Sequence, residues 1–230
     1  MRERILEVCR LGLIDYETAL NLQKETESAV IAGEKNDTLF LLEHPHTYTR
    51  GRRAKENGIL ASAQFLETLG AKVYETNRGG KVTYHGLGQL VGYPIINLSL
   101  FKEDVHLYVR NIEEVLIRTM RDFGVEAFRL EDLTGVHTRD GKVAAIGVHL
   151  KRWVTTHGFA LNVNTDLNYF NHIIACEGET VAAMNQIIGR DPAFSEVEQS
   201  IVKNFADVFE YKKVTEIKTE TVASAAASNI

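Results

Sequence analysis

The glycine-rich stretch NRGGKVTYHGLGQLVGYP, from Asn77 to Pro94, constrains the fold of this chain more than any other segment. It holds five glycines in eighteen residues, among β-forming residues and side chains that can form hydrogen bonds. A plain meander of strands needs fewer glycines, and each one costs conformational entropy on folding. The excess indicates backbone that closely approaches something else, so we predict a loop that faces a ligand. The polar side chains available to this loop are Arg78, Thr83, His85 and Gln89.

The same stretch predicts a local strand order. Gly79-Gly80 is typical of a tight turn, which would join strands at 72–76 and 81–84 as a hairpin. A third strand is predicted at 89–98, after a turn that contains two further glycines. Because Pro94 lies inside that strand and has no N–H to donate, we expect a bend or an edge position there.

Elsewhere, the chain contains both helical and strand patterns, but single strands and single helices do not alternate regularly along it. Asp15 is a predicted N-cap for the first helix, and Ser195 with Glu198 resembles a capping box for the last one. This pattern predicts an α+β fold rather than a doubly wound parallel sheet. The predicted helices are 15–32, 62–70, 104–123 and 195–211, and the other predicted strands are 38–43, 134–138, 142–150 and 154–163.

Composition places the chain among globular proteins, since it has 230 residues, of which 44% are hydrophobic and 25% charged. We expect one domain over 1–213 and a tail over 214–230 that is partly disordered. A net charge of -5 argues against nucleic-acid binding. The absence of a signal-peptide pattern or a long apolar run indicates a cytoplasmic protein without a membrane span. The histidine and cysteine spacings match no metal motif, so no metal or other cofactor is expected.

Only two cysteines are present, Cys9 and Cys176. Cys9 lies in a strand-like run, which favours a structural role. Cys176 follows three apolar residues and precedes the polar turn Glu177-Gly178-Glu179, so it is either a buried core thiol or a partly exposed nucleophile. Local sequence leaves these two interpretations equally open, because a reactive cysteine also needs a cation nearby.

Three ordered blocks of the sequence resemble the lipoyl(octanoyl) transferase family. RGGKVTYHGLGQ is similar to the family pattern Arg-Gly-Gly-x-x-Thr-x-His-Gly-Pro-Gly-Gln, and KVAAIGVHLKRWVTTHGFALNVNTDL to its second block. LLEHPHTYTRG resembles the N-terminal block, and IIACEG occupies the place of the family's cysteine. The sequence departs from the family at Leu87, where Pro is usual, at His137, where Trp is common, and around the cysteine and at 181–184.

The resemblance implies a fold similar to the catalytic domain of biotin and lipoate ligases, a class II synthetase-like domain with a mixed, largely antiparallel sheet flanked by helices. It implies transfer of an octanoyl group from octanoyl-acyl carrier protein to a lysine of lipoyl domains, through a cysteine thioester and without a cofactor. The acceptors would be the lipoyl domains of 2-oxoacid dehydrogenase complexes and the glycine cleavage H protein. We expect the enzyme to act as a monomer, with no nucleic-acid or membrane partner.

The family's site residues carry over to defined positions. Cys176 is the expected nucleophile and Lys142 its catalytic partner, although a lysine at a strand entrance is usually only a solvated charge. His149 and His157 are possible auxiliary groups. The acyl-binding residues implied by the resemblance are Arg78, Gly79, Gly80, Lys81, Val82, Thr83, Tyr84, His85, Ala145, Ile146, Gly147, Gly158, Phe159 and Ala160.

Three other functions fit the same residues. An ATP-dependent lipoate or biotin protein ligase would not need the cysteine, and a non-catalytic acyl-binding module would need neither Cys176 nor Lys142. A thioester hydrolase would not depend on an acceptor lysine. For acidic protein partners, we expect local basic surface among Arg50, Arg52, Arg53, Lys55, Lys151 and Arg152, the alternative being that these side chains are only solvated charge.

Overall fold

A computed structural model describes residues 4–174 and 180–218. The α-helices are α1 (Tyr16–Ala32), α2 (Ala63–Thr68), α3 (Val105–Asp122), α4 (Met184–Ile188) and α5 (Phe194–Val208). The strands are β1 (Ile5–Leu13), β2 (Asp37–Glu43), β3 (Thr47–Arg50), β4 (Lys72–Glu75), β5 (Val82–His85), β6 (Gln89–Ile95), β7 (Val136–Thr138), β8 (Gly141–Lys151), β9 (Val154–Asn162) and β10 (Lys213–Glu216).

A seven-stranded mixed sheet forms the centre of the fold, in the order β10-β1-β2-β6-β9-β8-β7. The two pairs that involve β1 are parallel, and the other four are antiparallel. One face packs against α3 and α5 around residues such as Leu161, Ile112 and Phe205, and the other packs against α1. The predicted α+β class, with a mixed and largely antiparallel sheet flanked by helices, is confirmed.

A smaller three-stranded sheet, in the order β4-β3-β5, lies beside the main one. The predicted hairpin between 72–76 and 81–84 is wrong, because β3 lies between the two strands, parallel to β4 and antiparallel to β5. β3 is absent from the predicted strands, because it is short and lies in a polar, basic segment. The Gly79-Gly80 turn therefore crosses over β3, which leaves its backbone free to approach β8.

Pro94 lies in a central strand, so the predicted edge position is wrong. β6 pairs with β2 up to Ile95, whereas its pairing with β9 is interrupted after Gly92, opposite Phe159, and contact resumes only at Ile96 and Asn97. A Cβ added to Gly158 would lie 2.5 Å from Pro94 Cδ, so the proline ring faces β9 beyond the last pair. The ring stands where no N–H is needed, which allows proline inside the sheet.

The helix ends show which local signals were reliable. The Asp15 carboxylate accepts a hydrogen bond from the Glu17 N–H, as predicted for an N-cap. The capping box expected at Ser195 is wrong, because α5 begins at Phe194 with Ala193 at its N-cap and no side-chain cap.

The C-terminal boundary also differs from expectation. Strand β10 pairs with β1 and includes residues 214–216, which had been assigned to the tail. In the part of the chain that the structure describes, no helix combines the length and the apolar character needed to cross a membrane.

Candidate active site

A cavity of about 510 Å³ opens between the loop before β5 and the paired strands β8 and β9. We call it the outer cavity. Its walls combine small and apolar side chains from the strands with polar and charged groups near the opening. It is lined by Arg53, Arg78, Gly80, Lys81, Val82, Thr83, Gln89, Asp132, Leu133, Thr134, Lys142, Ala144, Ala145, Ile146, Ala160, Asn162, Phe170 and Val181.

A second cavity of about 40 Å³, the inner cavity, shares Arg78, Thr83, Ala145, Ile146 and Ala160 with the outer one. Ala145 and Ala160 are partners across the β8–β9 ladder, so two methyl groups form part of the neck between the cavities. A narrow apolar neck of this kind suits a thin alkyl chain. The inner cavity is also lined by Tyr16, His85, Tyr93, Gly147, His157, Gly158 and Phe159.

The Arg78 side chain forms part of the wall of both cavities and is buried. Its guanidinium donates to the Thr49 hydroxyl at 2.8 and 3.1 Å, to the Thr49 carbonyl at 2.6 Å and to the Gly79 carbonyl at 2.9 Å. Among the described residues, no carboxylate pairs with it. Burial lowers the pKa of Arg78 below its usual value, and the nearby hydroxyls of Tyr16 and Tyr93 act in the opposite direction.

Two glycines let the turn after Arg78 lie close to β8 and to the end of β3. A Cβ on Gly147 would lie 2.9 Å from the Gly79 carbonyl oxygen, and one on Gly51 would lie 2.5 Å from the Gly80 oxygen. The Gly79 N–H donates to the Val148 carbonyl at 2.9 Å. The missing side chain at Gly147 thus makes room for the protein's own backbone, whereas the sequence analysis had assigned that room to an acyl chain. Gly79 itself lines neither cavity formed by the described residues.

Lys142 lies in the wall of the outer cavity, beside the segment that follows Cys176. Its N–H donates to the Thr180 carbonyl and its carbonyl accepts from the Ala182 N–H, both at 2.9 Å. On the other side, a Cβ on Gly135 would lie 2.7 Å from Lys142 Cε. Cys176 belongs to 175–179, which lie outside the described residues, so its position relative to Lys142 stays a prediction.

A chain of buried side-chain hydrogen bonds connects β5 to the same segment. His85 Nδ1 lies 2.8 Å from Gln89 Oε1, and since an amide oxygen only accepts, the ring donates here. Gln89 Nε2 donates to Asn162 Oδ1 at 3.0 Å, and Asn162 Nδ2 donates to the Ala182 carbonyl at 3.0 Å. Burial, together with the nearby His44 and Arg78, holds the pKa of His85 well below its usual value and keeps it neutral.

The two auxiliary histidines are placed differently. His157 lines the inner cavity, donates from Nε2 to Asn77 Oδ1 at 2.7 Å, and is buried. Burial, with a smaller effect of Arg78, lowers its pKa to about 3, so it is a neutral group at pH 7. His149 is half-buried and lines neither cavity formed by the described residues. The structure therefore brings only His157 to the site.

Tyr84 also points away from both cavities. It stacks on Tyr169 with ring centroids 5.0 Å apart, and its hydroxyl lies 2.7 Å from His46 Nδ1. Alternation along β5 directs Thr83 and His85 to the inner cavity and Tyr84 to the opposite side. Sequence reasoning had grouped these neighbours together because the resemblance treats them as one block.

Sequence reasoning missed several residues in the outer wall. Asn162, at the end of β9, and Phe170 had no assigned role, Arg53 was expected only as basic surface, and Gln89 was noted only as a polar residue. The segment Asp132–Thr134 completes the opposite rim. Of these, Gln89 had a detectable signal, since it closes the glycine-rich motif, and the others become wall residues only through the tertiary fold.

Cys9 lies in the interior of the main sheet and is fully buried. Burial raises the pKa of the Cys9 thiol to about 11. A thiol with that pKa is almost wholly protonated at neutral pH and reacts poorly as a nucleophile. The structural role predicted for Cys9 agrees with this position.

Comparison with solved structures shows the same architecture elsewhere. Lipoate-protein ligase A bound with ATP superposes with a TM-score of 0.74 at 18% identity, covering 99% of this chain and 94% of that one. A bi-partite lipoate protein ligase from Thermoplasma acidophilum gives 0.71 at 17% identity, with 100% and 93% covered. Biotin protein ligase from Aquifex aeolicus gives 0.51 at 11% identity, with 90% and 71% covered. At these identities, the comparison establishes the fold, which is that of the lipoate ligase catalytic domain.

Sequence comparison establishes the family. The model of the lipoyl protein ligase A/B catalytic domain matches residues 15–206, and the chain belongs to this family. An octanoyltransferase from Solibacter usitatus is 46% identical over 203 residues, 88% of this chain and 92% of that protein. One from Caldicellulosiruptor saccharolyticus is 44% identical over 208 residues, with 89% and 88% covered. The predicted kinship with the octanoyltransferases is thus confirmed, and the protein is an acyltransferase.

Proposed function

We propose that this enzyme transfers an octanoyl group from octanoyl-acyl carrier protein to a specific lysine of lipoyl domains, as the first step of protein lipoylation. The observation that carries the proposal is the pairing of Lys142 with Thr180 and Ala182 at the outer cavity. Thr180 is four positions after Cys176, and an extended chain spans at most about 14 Å over four positions. This bound supports a Cys176 within reach of Lys142 and the outer cavity.

The first half-reaction forms an acyl-enzyme. The Cys176 thiolate attacks the carbonyl carbon of the octanoyl thioester, and the new C–S bond forms as the bond to the carrier's thiol breaks. The leaving thiolate takes a proton, for which the Lys142 ammonium is the proposed donor. One thioester replaces another, so the exchange is nearly balanced in free energy and needs no ATP.

The second half-reaction delivers the octanoyl group to the acceptor. The lysine amine of the lipoyl domain attacks the Cys176 thioester, an amide bond forms, and the cysteine leaves as a thiolate. The amine must lose a proton in this step, and Lys142, neutral after the first half-reaction, is the proposed base. Both half-reactions thus use the same pair of residues, and the enzyme returns to its starting protonation state.

The cavities support an acyl substrate. The octanoyl chain would pass the neck between Ala145 and Ala160, with its thioester near Lys142. The relatives named octanoyltransferase support this acyl group, and the lipoate ligase of known fold studied with its E2 lipoyl domain supports a lipoyl-domain acceptor. The proposed acceptors are the lipoyl domains of 2-oxoacid dehydrogenase complexes and the glycine cleavage H protein.

Intact-mass measurement tests the proposal. Incubation with octanoyl-acyl carrier protein alone should add one octanoyl mass that hydroxylamine removes, and peptide mapping should locate it on Cys176. Addition of a lipoyl domain should move that mass to one lysine of the domain. The Cys9→Ser variant is the control and should label normally.

The alternatives give different results in the same experiment. Transfer that requires ATP and survives Cys176→Ser would indicate a ligase. Release of free octanoate without an acceptor would indicate a hydrolase. Tight octanoyl binding without a covalent adduct or any transfer would indicate a binding module and contradict the proposal.

A further inference from the structure

The carboxylate of Glu113 is buried in α3, directly behind the loop that walls the Lys142 side of the outer cavity. Glu113 is 1% exposed. Its Oε1 accepts a hydrogen bond from the Gly135 N–H at 3.0 Å, and its Oε2 accepts from Arg110 at 2.9 Å and pairs with Arg129 Nε at 3.2 Å. A buried carboxylate with two hydrogen bonds and one ion pair is well satisfied, so it holds these groups firmly.

The residues held in this way belong to the loop that runs from 129 to 135. Its ends are joined by two backbone hydrogen bonds between Phe128 and His137, at 2.8 and 3.0 Å. Glu113 binds the loop just inside both ends, at Arg129 and at Gly135. Between those points, residues 132–134 line the outer cavity. The carboxylate therefore fixes a section of the cavity wall from behind.

The fixed backbone of Gly135 in turn limits the position of the Lys142 side chain. It has φ of +133°, and a Cβ there would lie 2.7 Å from Lys142 Cε, 3.3 Å from Lys142 Nζ and 2.6 Å from the Ala144 carbonyl oxygen. The glycine backbone is thus one surface of the channel in which the lysine side chain lies. A shift of Gly135 would change where the ammonium group can sit.

We infer that Glu113 is a positioning residue for Lys142 and acts through the Gly135 N–H. It touches neither substrate nor the reacting atoms, and its effect on the chemistry comes from holding the backbone against which the lysine packs. The inference rests on the role of Lys142 in the proposed function. A 1 Å displacement of a catalytic group can lower the rate by up to about a hundredfold, so loss of the Glu113 contact should lower the rate measurably.

The test compares variants that break this connection with matched controls. Glu113→Leu keeps the volume but removes the acceptor, Glu113→Gln keeps an acceptor oxygen at the same reach, and Gly135→Ala places a methyl against Lys142. Glu114→Leu is the control for the first, because Glu114 also pairs with Arg129 but has no bond to Gly135. Gly124→Ala is the control for the glycine, since its φ is +75° but an added Cβ would meet nothing within 4 Å.

The first measurement does not depend on catalysis. Lysines of the full chain are reductively methylated with ¹³C-formaldehyde, and the Lys142 signal is assigned by its loss in Lys142→Arg. We expect this signal to move in Glu113→Leu and Gly135→Ala, and to stay at the wild-type position in Glu113→Gln, Glu114→Leu and Gly124→Ala. If the Lys142 signal does not move in folded Gly135→Ala or in folded Glu113→Leu, the inference is overturned. It is also overturned if the signal moves in Glu113→Gln as far as in Glu113→Leu. If Glu113→Leu does not fold, an unmoved signal in Gly135→Ala or a signal displaced from the wild-type position in Glu113→Gln still overturns the inference.

The second measurement is octanoyl transfer. In Glu113→Leu and Gly135→Ala, kcat should fall about tenfold or more while KM for the octanoyl donor changes less than about twofold, because the acyl cavity is kept. A moved Lys142 signal with normal transfer in all variants, including Lys142→Met, would refute the proposed role of Lys142 and leave the positioning by Glu113 intact. An unmoved signal with lost transfer would refute the positioning alone.

Discussion

The main-chain N–H of Lys142 donates a 2.9 Å hydrogen bond to the carbonyl oxygen of Thr180. The two residues are far apart in sequence, yet this bond and its partner from Ala182 join the start of β8 to the segment that follows Cys176. A displacement of either strand at this point would move the other. The relationship couples the start of β8 to residues 180–182, and the first prediction follows from it.

Replacement of Lys142 by Met should abolish most octanoyl transfer while the protein stays folded. An ammonium group near a thiolate stabilises it, so its removal should also slow alkylation of Cys176 by iodoacetamide at pH 7. The measurement is the alkylation rate followed by mass spectrometry, in a Cys9→Ser background for both proteins. Equal alkylation rates together with normal transfer would return Lys142 to the class of ordinary solvated lysines.

Ala160→Val should make the enzyme selective against long acyl groups. Ala160 lies in the neck between the two cavities, opposite Ala145, and two added methyl groups should close that neck. We expect octanoyl transfer to fall by about tenfold or more, with butanoyl transfer changed much less. The measurement is kcat/KM for a series of acyl-carrier-protein thioesters.

Gly147→Ala is the comparison for that experiment. Its added Cβ would lie 2.9 Å from the Gly79 carbonyl oxygen, so the RGG turn and Arg78 must shift. Transfer should then fall by a similar factor for all acyl lengths. A length-dependent loss in Gly147→Ala, or a uniform loss in Ala160→Val, would contradict this assignment of the neck.

The protein should lose stability as pH falls below about 6.5, in part because of His44. Burial lowers the pKa of His44 from 6.5 to about 4, and its ring bonds the Ile14 carbonyl and the Tyr93 hydroxyl. The unfolded chain therefore binds the extra proton between pH 6.5 and 4, and folding stability falls there by up to about 1.4 kcal/mol per pH unit for this one group. Urea unfolding at pH 7, 6 and 5 measures the slope.

His44→Gln should reduce that slope, although it lowers stability at pH 7. His106 is exposed on α3, and His106→Gln is the control that should leave the slope unchanged. A His44→Gln protein with the wild-type slope would show that other buried groups, such as His85 and His157, account for the whole pH dependence.

Arg53→Glu should weaken productive binding of the acidic octanoyl donor. Arg53 is exposed and lines the outer cavity, whereas Arg152 lies beyond the far end of β8, about 30 Å along the strand from Lys142. We expect kcat/KM to fall about tenfold at low ionic strength and the difference to shrink with added salt. Arg152→Glu should have the same kcat/KM as the wild type. An equal loss of kcat/KM in both variants would contradict a donor-binding surface confined to the surroundings of Arg53.

Local sequence determined the elements whose signals are short-range. Asp15 caps α1 because its carboxylate reaches the Glu17 N–H in the next turn, and Gly33 ends the helix with φ of +74°. The long strands β8 and β9 follow from the β propensity of their residues. The family resemblance identified residues 78–85 as part of the site. Alternation along β5 then directs Thr83 and His85 to the inner cavity and Tyr84 away from it.

Only the tertiary structure decided which strands pair and what each glycine accommodates. β4 and β5 look like a hairpin in sequence, but β3 pairs with both, because the burial of Tyr48 between them outweighs the local turn preference. The missing side chain at Gly147 accommodates the backbone of Gly79, which is far away in sequence, and the one at Gly135 accommodates the Lys142 side chain across the β7–β8 pair. Such contacts depend on the summed free energy of packing over the whole chain, and no local pattern encodes them.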